Sequence, residues 1–296
     1  MLEGLLVALS QQDNSELFTF SVRVVDNDRH ESARHVVSRV AEEQQLSVEY
    51  VVETRQNISH ARNRALENVC ADYVAIIDDD ERPERNWLYV LWNSIEQLSA
   101  DGVLGPVMPE FPKFCPGWLR KSQLCERPSH GTGKWLEYHE TRTGNALFRR
   151  ELFDGIKEAF NPAFGEGGGE DIDFFRRRIS EGYRFAWCNE AVVYERVPPE
   201  RWRLQYYCRR ELRLGGLLSS RTRKAGKLTF GLILRSAARL IMHGVQMSMR
   251  LPFGKHMYAR PLVRLCYHAG FLVGAFGPPL SHQREEFLPA RECRPF

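Results

Sequence analysis

Between residues 20 and 107, short apolar runs alternate with stretches of helical periodicity, and this alternation constrains the fold more than any other feature. Residues 20–25 (FSVRVV), 48–53, 73–77 (YVAII) and 102–107 are short and rich in β-branched or aromatic side chains, which predicts strands. Residues 31–45, 59–69 and 84–98 repeat apolar positions at helical spacing, with Asn57 or Ser59 as the N-cap of the second helix. Strands that alternate with helices form an α/β, doubly wound, mainly parallel sheet. Open sheets of this kind bind ligands at the carboxyl ends of their strands. Two of the strands end in acids there: Asp26-Asn27-Asp28 and Asp78-Asp79-Asp80.

The rest of the chain is read around that sheet. Leucines 2, 5, 6 and 9 predict a first helix, and residues 109–143, rich in Pro, Trp, Lys and Arg, are expected to loop over the site. A strand and helix follow at 142–150. A glycine-rich turn at 165–169 feeds a helix reaching about residue 181, and closing strands are expected at 184–187 and 191–195. From Trp202 the pattern is helical. The expected division is a catalytic domain at 1–215 and a helical, basic extension at 216–296.

The chain has 296 residues, 43% of them hydrophobic, enough for a sizeable core. A net charge of +3, from 41 basic and 38 acidic residues, argues against a nucleic-acid partner. The distribution says more than the sum. Acids cluster at 78–84 and 166–173, whereas bases dominate 196–250, the pattern of an acidic metal site followed by a segment facing phosphate or anionic lipid. Seven cysteines, an odd number without any CxxC pair, read as reduced thiols of a cytoplasmic protein. The first residues lack a basic start and contain Glu3, unlike a secretion signal. Within 228–251, Arg235, Arg239 and His243 recur every four residues. That row fits either a helix docked on the domain or a basic amphipathic helix at an anionic membrane surface, with 262–280 as a second such segment.

Asp78-Asp79-Asp80 is the strongest chemical signal. A diphosphate leaving group gathers negative charge as its bond to a sugar breaks. A divalent cation held by one or two carboxylates offsets that charge and keeps positions for phosphate oxygens and water. The bland alternative is a solvated acidic turn. Asp26 is placed to accept from a base or ribose, or else to form an Asx turn. Arg62 and Asn63, near a helix start, suit a phosphate or nucleotide contact, or else a solvated helix face. Glu170 and Asp171 follow three glycines. One of them can serve as the carboxylate that takes a proton from an attacking hydroxyl while the other caps the helix. Glu195 is a candidate late metal ligand and Arg201 a candidate diphosphate contact. Either residue can equally be a surface loop residue.

Taken together, the segments VVDND (24–28), NISHARNRALENVCADYVAIIDDDERP (57–83), TGNALFRRELF (143–153) and GEDIDFFRRRISEGYRFAWCNEAVVYERVPPER (169–201) resemble the family-2 glycosyltransferases of GT-A fold. The wording is most similar to that of succinoglycan-type exopolysaccharide glucosyltransferases. The resemblance covers roughly residues 1–215. It implies a GT-A-type (Rossmann-like) domain and an inverting transfer from a nucleotide-diphosphate sugar to a lipid-linked or polysaccharide acceptor. It further implies Mn²⁺ or Mg²⁺ as cofactor and a location on the cytoplasmic face of the inner membrane. Asp26 would meet the base, Arg62 the nucleotide and Asn145 the sugars. Asp78 and Asp80 would form the DxD, with Asp80 the main metal ligand, and Asp171 would be the base. Glu195 stands where many relatives carry a histidine ligand. Relatives usually open with a strand and a base-cradling turn, and the chain is expected to start just after them. Two other readings compete: a metal-dependent nucleotidyltransferase, which usually carries a basic glycine-rich loop, and a non-catalytic sugar-nucleotide-binding subunit of a polysaccharide-assembly complex.

Overall fold

The structure, a computed structural model, describes residues 1–13, 15–165 and 168–277. Glu166 and Gly167 of the glycine-rich turn, Leu280 and Cys293 lie outside the described residues. The chain forms two compact units: Met1–Pro112 with Cys125–Val197, and Lys113–Leu124 with the chain from Pro198 onward.

The first unit begins α1 (Leu2–Ser10), β1 (Val22–Asp26), α2 (Arg34–Gln44), β2 (Val48–Val52), α3 (Ile58–Leu66), β3 (Tyr73–Ile76), β4 (Glu81–Pro83) and α4 (Trp87–Leu98). β5 (Gly102–Leu104) and β6 (Val107–Glu110) follow, and α5 (Gly117–Ser122) belongs to the second unit. The first unit then resumes with β7 (Ala146–Arg149), α6 (Pro162–Gly165), α7 (Glu170–Ser180), β8 (Phe185–Trp187) and β9 (Val193–Arg196). Asn57 caps α3, its side chain accepting from the Ser59 amide at 2.9 Å.

Among the described residues three small sheets result, ordered β1-β2, β3-β7-β5-β8 and β4-β9-β6. β1–β2, β5–β8 and β6–β9 are parallel, whereas β7 runs antiparallel to both its neighbours and β4 antiparallel to β9. The architecture is therefore α/β with mixed sheets. The expected single strand at 102–107 is two strands in two sheets. Pro106 has no amide to continue a ladder. At Gly105 a Cβ would lie 2.3 Å from the Ala191 carbonyl oxygen, so the chain bends there on glycine.

Both faces of the four-stranded sheet are covered, and the period of two shows it. Val103, Leu147 and Ala186 pack with Leu5, Trp87, Leu91 and Ile95 of α1 and α4. Their neighbours Leu104, Phe148, Phe185 and Trp187 pack on the other side with Phe174 and Phe175 of α7. Phe148 is fully buried, with the Phe174, Phe175 and Phe185 rings 6.0–6.2 Å away. Burying such a ring contributes about 1.5–3 kcal/mol, and here it fixes α7 and hence the acids at the start of that helix.

The second unit contains α8 (Leu204–Lys224), α9 (Phe230–Arg250) and α10 (Lys255–Phe276). Residue 215, the expected domain limit, lies inside the unbroken α8, and the division falls instead at Pro198. α8 and α10 meet through glycines. A Cβ on Gly215 would lie 2.0 Å from the Tyr267 carbonyl oxygen, and one on Gly270 1.9 Å from that of Leu212. Among the described residues, no helix is long and apolar enough to cross a membrane. The expected basic row on α9 is corrected. Arg235 and Arg239 are exposed, but His243 is buried, its ring 5.6 Å from that of His268. Steps of four advance about 40° past a full turn, so the row drifts around the helix and has rotated into the α10 contact by His243.

Candidate functional site

β3 delivers Asp78 to the end of the central sheet. The Asp78 carbonyl accepts from the Glu81 amide at 3.1 Å, which turns the chain so that Asp79 and Asp80 sit at the corner and Glu81 opens β4. The Asp78 amide in turn donates to Glu81 Oε2 at 3.3 Å. Gly144 permits this crowding: a Cβ there would lie 2.9 Å from Asp78 Oδ2 and 3.3 Å from Glu81 Oε1.

α7 brings the second set of acids. Gly169 takes a left-handed backbone (φ +100°), which favours glycine, and puts Glu170 and Asp171 in the first turn. Acids are favoured there by the helix dipole. Arg62, from α3, joins the two sets. Its guanidinium donates to Glu170 Oε1 at 2.7 Å and to Asp171 Oδ1 at 2.5 Å, and lies 3.9 Å from Asp78 Oδ1. The Thr143 hydroxyl also donates to Asp171 Oδ1, at 2.7 Å.

The cluster is short of positive charge. Glu81 is 2% exposed, and burial, then the neighbouring Asp78 charge, push its carboxyl up to about 8. Burial raises Asp78 as well, the charges of Asp80 and Asp171 adding to it and Arg62 opposing. Dense protein surrounds Asp78, yet 43% of its side chain remains open to solvent. Water therefore screens part of that push. Glu170 is raised by burial and by Asp171. Glu81 Oε1 and Glu170 Oε2 are buried without a hydrogen-bond partner. Arg127 lies 3.9 Å from Glu81 but makes its close ion pair with Glu195.

Hard carboxylate oxygens with excess negative charge and orphaned acceptors fit a hard divalent cation. Asp78 and Asp80 would hold it. Glu195 is corrected as a third ligand. Among the described residues, no three His, Cys, Asp or Glu side chains are arranged to hold a metal ion. Glu195, opposite Glu81 in the β4–β9 register, is tied to Arg127.

Two further expectations are corrected. Asn145 is fully buried, donating to the Pro106 and Ala191 carbonyls at 2.8 and 2.7 Å and accepting from Trp87 Nε1 at 2.7 Å. Its amide braces the sheet ends, with both its hydrogens and its oxygen bonded within the protein. Asn63 clamps Phe160 through both main-chain groups, at 2.7 and 2.8 Å, so its amide is not presented to a nucleotide. Asp26 ends β1, 8% exposed, accepting from the Asp28 and Ala33 amides at 2.9 Å and from the Tyr50 hydroxyl at 2.6 Å. That includes the Asx turn. Arg201 lies in the second unit, in the turn Pro199–Trp202.

Glu81, Thr143 and Arg127 belong to the cluster and escaped the sequence reading. Glu81 is the fourth acid of the DDDE run and Thr143 opens the TGN run, so each had a signal, whereas Arg127 had none. An open cleft of about 260 Å³ borders Gly144, lined also by Arg127, His130, His139, Arg142 and Trp187.

Comparison with known proteins now adds to the geometry. Residues 1–156 match glycosyl transferase family 2. The succinoglycan biosynthesis protein ExoM of Rhizobium meliloti (strain 1021) is 35% identical over 213 residues, which is 71% of this chain and 67% of that protein. Chondroitin synthase of Pasteurella multocida (strain Pm70) is 22% identical over 215 residues, 62% of this chain and 22% of that one. Among solved structures, S. aureus TarS 1–349 in complex with UDP-GlcNAc shares the fold, with a TM-score of 0.52 at 16% identity over 92% of this chain and 87% of that chain. TarS 1–349 in complex with UDP gives 0.51 at 17% identity over 92% and 86%. The chain belongs to glycosyl transferase family 2 and is a glycosyltransferase.

Proposed function

We propose that the chain transfers a sugar, with inversion, from a nucleotide-diphosphate sugar to a hydroxyl of a polysaccharide or lipid-linked acceptor in exopolysaccharide assembly. One observation carries this reading. Arg62 joins Asp78, at a strand end, to Glu170 and Asp171, more than ninety positions further along the chain, in one acidic cluster. ExoM, a succinoglycan biosynthesis protein, and the UDP-GlcNAc complex of TarS support the pathway and the donor class.

Asp171 is the general base. Arg62 and Thr143 fix its Oδ1, and its carboxylate takes the proton of the acceptor hydroxyl as that oxygen bonds to the anomeric carbon. The bond from that carbon to the diphosphate breaks on the opposite side, and the nucleoside diphosphate leaves. Glu170 shares Arg62 with Asp171 and keeps the guanidinium in place. A divalent Mn²⁺ or Mg²⁺, when bound at Asp78 and Asp80, offsets the charge of the leaving diphosphate. Asp26 and Arg62 face the nucleotide, and the cleft beside Gly144 receives the acceptor. The enzyme works at an anionic membrane surface, on the cytoplasmic face of the inner membrane, where a lipid-linked acceptor resides.

The test pairs a donor screen on membrane-derived lipid-linked acceptors with NMR of the product. An inverted anomeric configuration is expected, together with loss of cation-dependent donor binding in Asp80→Ala. A retained configuration, or full turnover by Asp80→Ala in chelator, would overturn the reading.

A further inference from the structure

α9 opens behind Thr229, whose hydroxyl accepts from the Leu232 amide at 3.4 Å, and runs to Arg250 without one acidic residue. Its inner side packs: Ser236 and His243 are buried, and Ser236 Oγ lies 3.0 Å from His268 Nδ1 on α10. Its outer side is apolar. Phe230, Leu234, Ile241, Val245 and Met249 expose 78, 59, 66, 55 and 70% of their surfaces. With the exposed Ala238 they advance in steps of three or four, which keeps them within an arc of roughly 100°. Arg235 and Arg239 each follow a member of that row by one position, so they line one flank, and the exposed Arg250 closes the end.

An exposed apolar stripe of this length marks an interaction surface. The charge decides the partner. A second copy seated stripe to stripe would set arginines against arginines, with no acid on α9 to answer them. An anionic lipid surface answers both features at once, since the acyl boundary takes the stripe and the headgroup phosphates take the guanidinium groups. We propose that α9 lies in the plane of an anionic bilayer, inserted by the Phe230–Leu234–Ile241–Val245–Met249 stripe and held at its flank by Arg235 and Arg239. This rests on the membrane attachment proposed above and assigns that attachment to one helix face. Insertion stays interfacial, because no described helix is long and apolar enough to cross.

The experiment floats the full chain with phosphatidylcholine vesicles, with and without phosphatidylglycerol. Flotation is expected only with phosphatidylglycerol, and added salt should weaken it. Ile241→Glu should lower vesicle partitioning by about tenfold or more, and Arg235→Ser and Arg239→Ser by roughly fivefold each. All three positions are exposed, so the variants should keep the wild-type melting curve. Transfer from a nucleotide sugar to a water-soluble oligosaccharide acceptor by the same variants without vesicles should not change, and that readout separates failure of this inference from failure of the glycosyltransferase reading. Equal flotation of Ile241→Glu and wild type would overturn the inference. So would absent wild-type flotation, or a vesicle-free dimer that Ile241→Glu dissociates.

Discussion

Glycine brings groups unusually close in both units, with opposite results. At Gly144 the missing side chain lets Asp78 and Glu81 crowd together, and the neighbours in reach are carboxylate oxygens. At Gly215 and Gly270 it lets α8 and α10 touch backbone to backbone. The first arrangement gathers like charge around a buried carboxyl and leaves Glu81 Oε1 without a hydrogen-bond partner. The second gathers close-packed contacts that stabilise the fold. Acids gathered to meet charged ligands repel one another, whereas helices packed on glycine do not. Substitutions in the first region should therefore change chemistry more than stability, and those in the second stability more than chemistry.

The strongest way to break this contrast is Asp171→Asn. The substitution keeps shape and size but cannot take a proton, so kcat should fall about 10²–10⁴-fold while donor affinity changes little. Thermal stability should hold or rise, because one charge leaves a cluster with too many. The same assays on Glu170→Gln should show a smaller loss. A large drop in melting temperature with near-normal turnover in Asp171→Asn would reverse the contrast.

Gly270→Ala tests the other region. The added Cβ would meet the Leu212 carbonyl oxygen at 1.9 Å, and backbone on both sides has no rotamer through which to yield. Separating the two helices should cost about 1–3 kcal/mol, seen as an earlier urea transition. Gly131, whose Cβ would meet nothing within 4 Å, is the control: Gly131→Ala should leave the transition in place.

How much of this was legible depends on what each feature rests on. The alternation of strands and helices, the acids at strand ends and the glycine that precedes Glu170 are local patterns, and the described residues contain each of them. Strand direction is not local: nothing in the sequence of residues 146–149 says that β7 enters antiparallel, because a period of two is the same in either direction. Side-chain direction is equally hidden. Asn145 sits in the TGN run, but at φ +60° its amide turns inward to Pro106 and Ala191. The isolation of Glu81 Oε1 depends on which groups tertiary packing brings near it, and its neighbours in sequence do not reveal that. Arg127 comes from an irregular stretch with no periodicity, and only the fold brings it to Glu81 and Glu195.

The smallest expected effect sharpens the contrast inside the first unit, between two buried acids. Glu53, just past β2, is also little exposed but lies in less dense surroundings than Glu81 and has partners. Arg55 donates to it from Nε at 2.9 Å, from Nη2 at 2.7 Å and from its main-chain amide at 2.9 Å. Those bonds, led by the guanidinium, hold the Glu53 carboxyl down to about 2 against the cost of burial. Its folded pKa lies below the unfolded value, so the stability it contributes is fully present above about 4.5, the ordinary glutamate value, and is lost as the pH falls through about 2. Glu81, whose pKa is raised, works in the opposite sense. Arg55 keeps 62% of its side chain in solvent, so screening holds the ion pair to about 1 kcal/mol. Arg55→Gln should therefore unfold about 1 kcal/mol more easily in urea at pH 7. The gap from wild type should narrow as the pH is lowered from 5.5 towards 3, because without Arg55 the folded Glu53 gains its proton over that range, whereas the wild-type carboxylate, held down by Arg55, does not. The same segment anchors Asn27, whose amide donates to the Glu53 and Arg55 carbonyls at 2.7 Å, next to Asp26 and ahead of the helix that carries Arg62. A gap that widens towards acid would mean that Arg55 acts through something other than Glu53, and the pairing of that carboxylate would no longer explain why it behaves unlike Glu81.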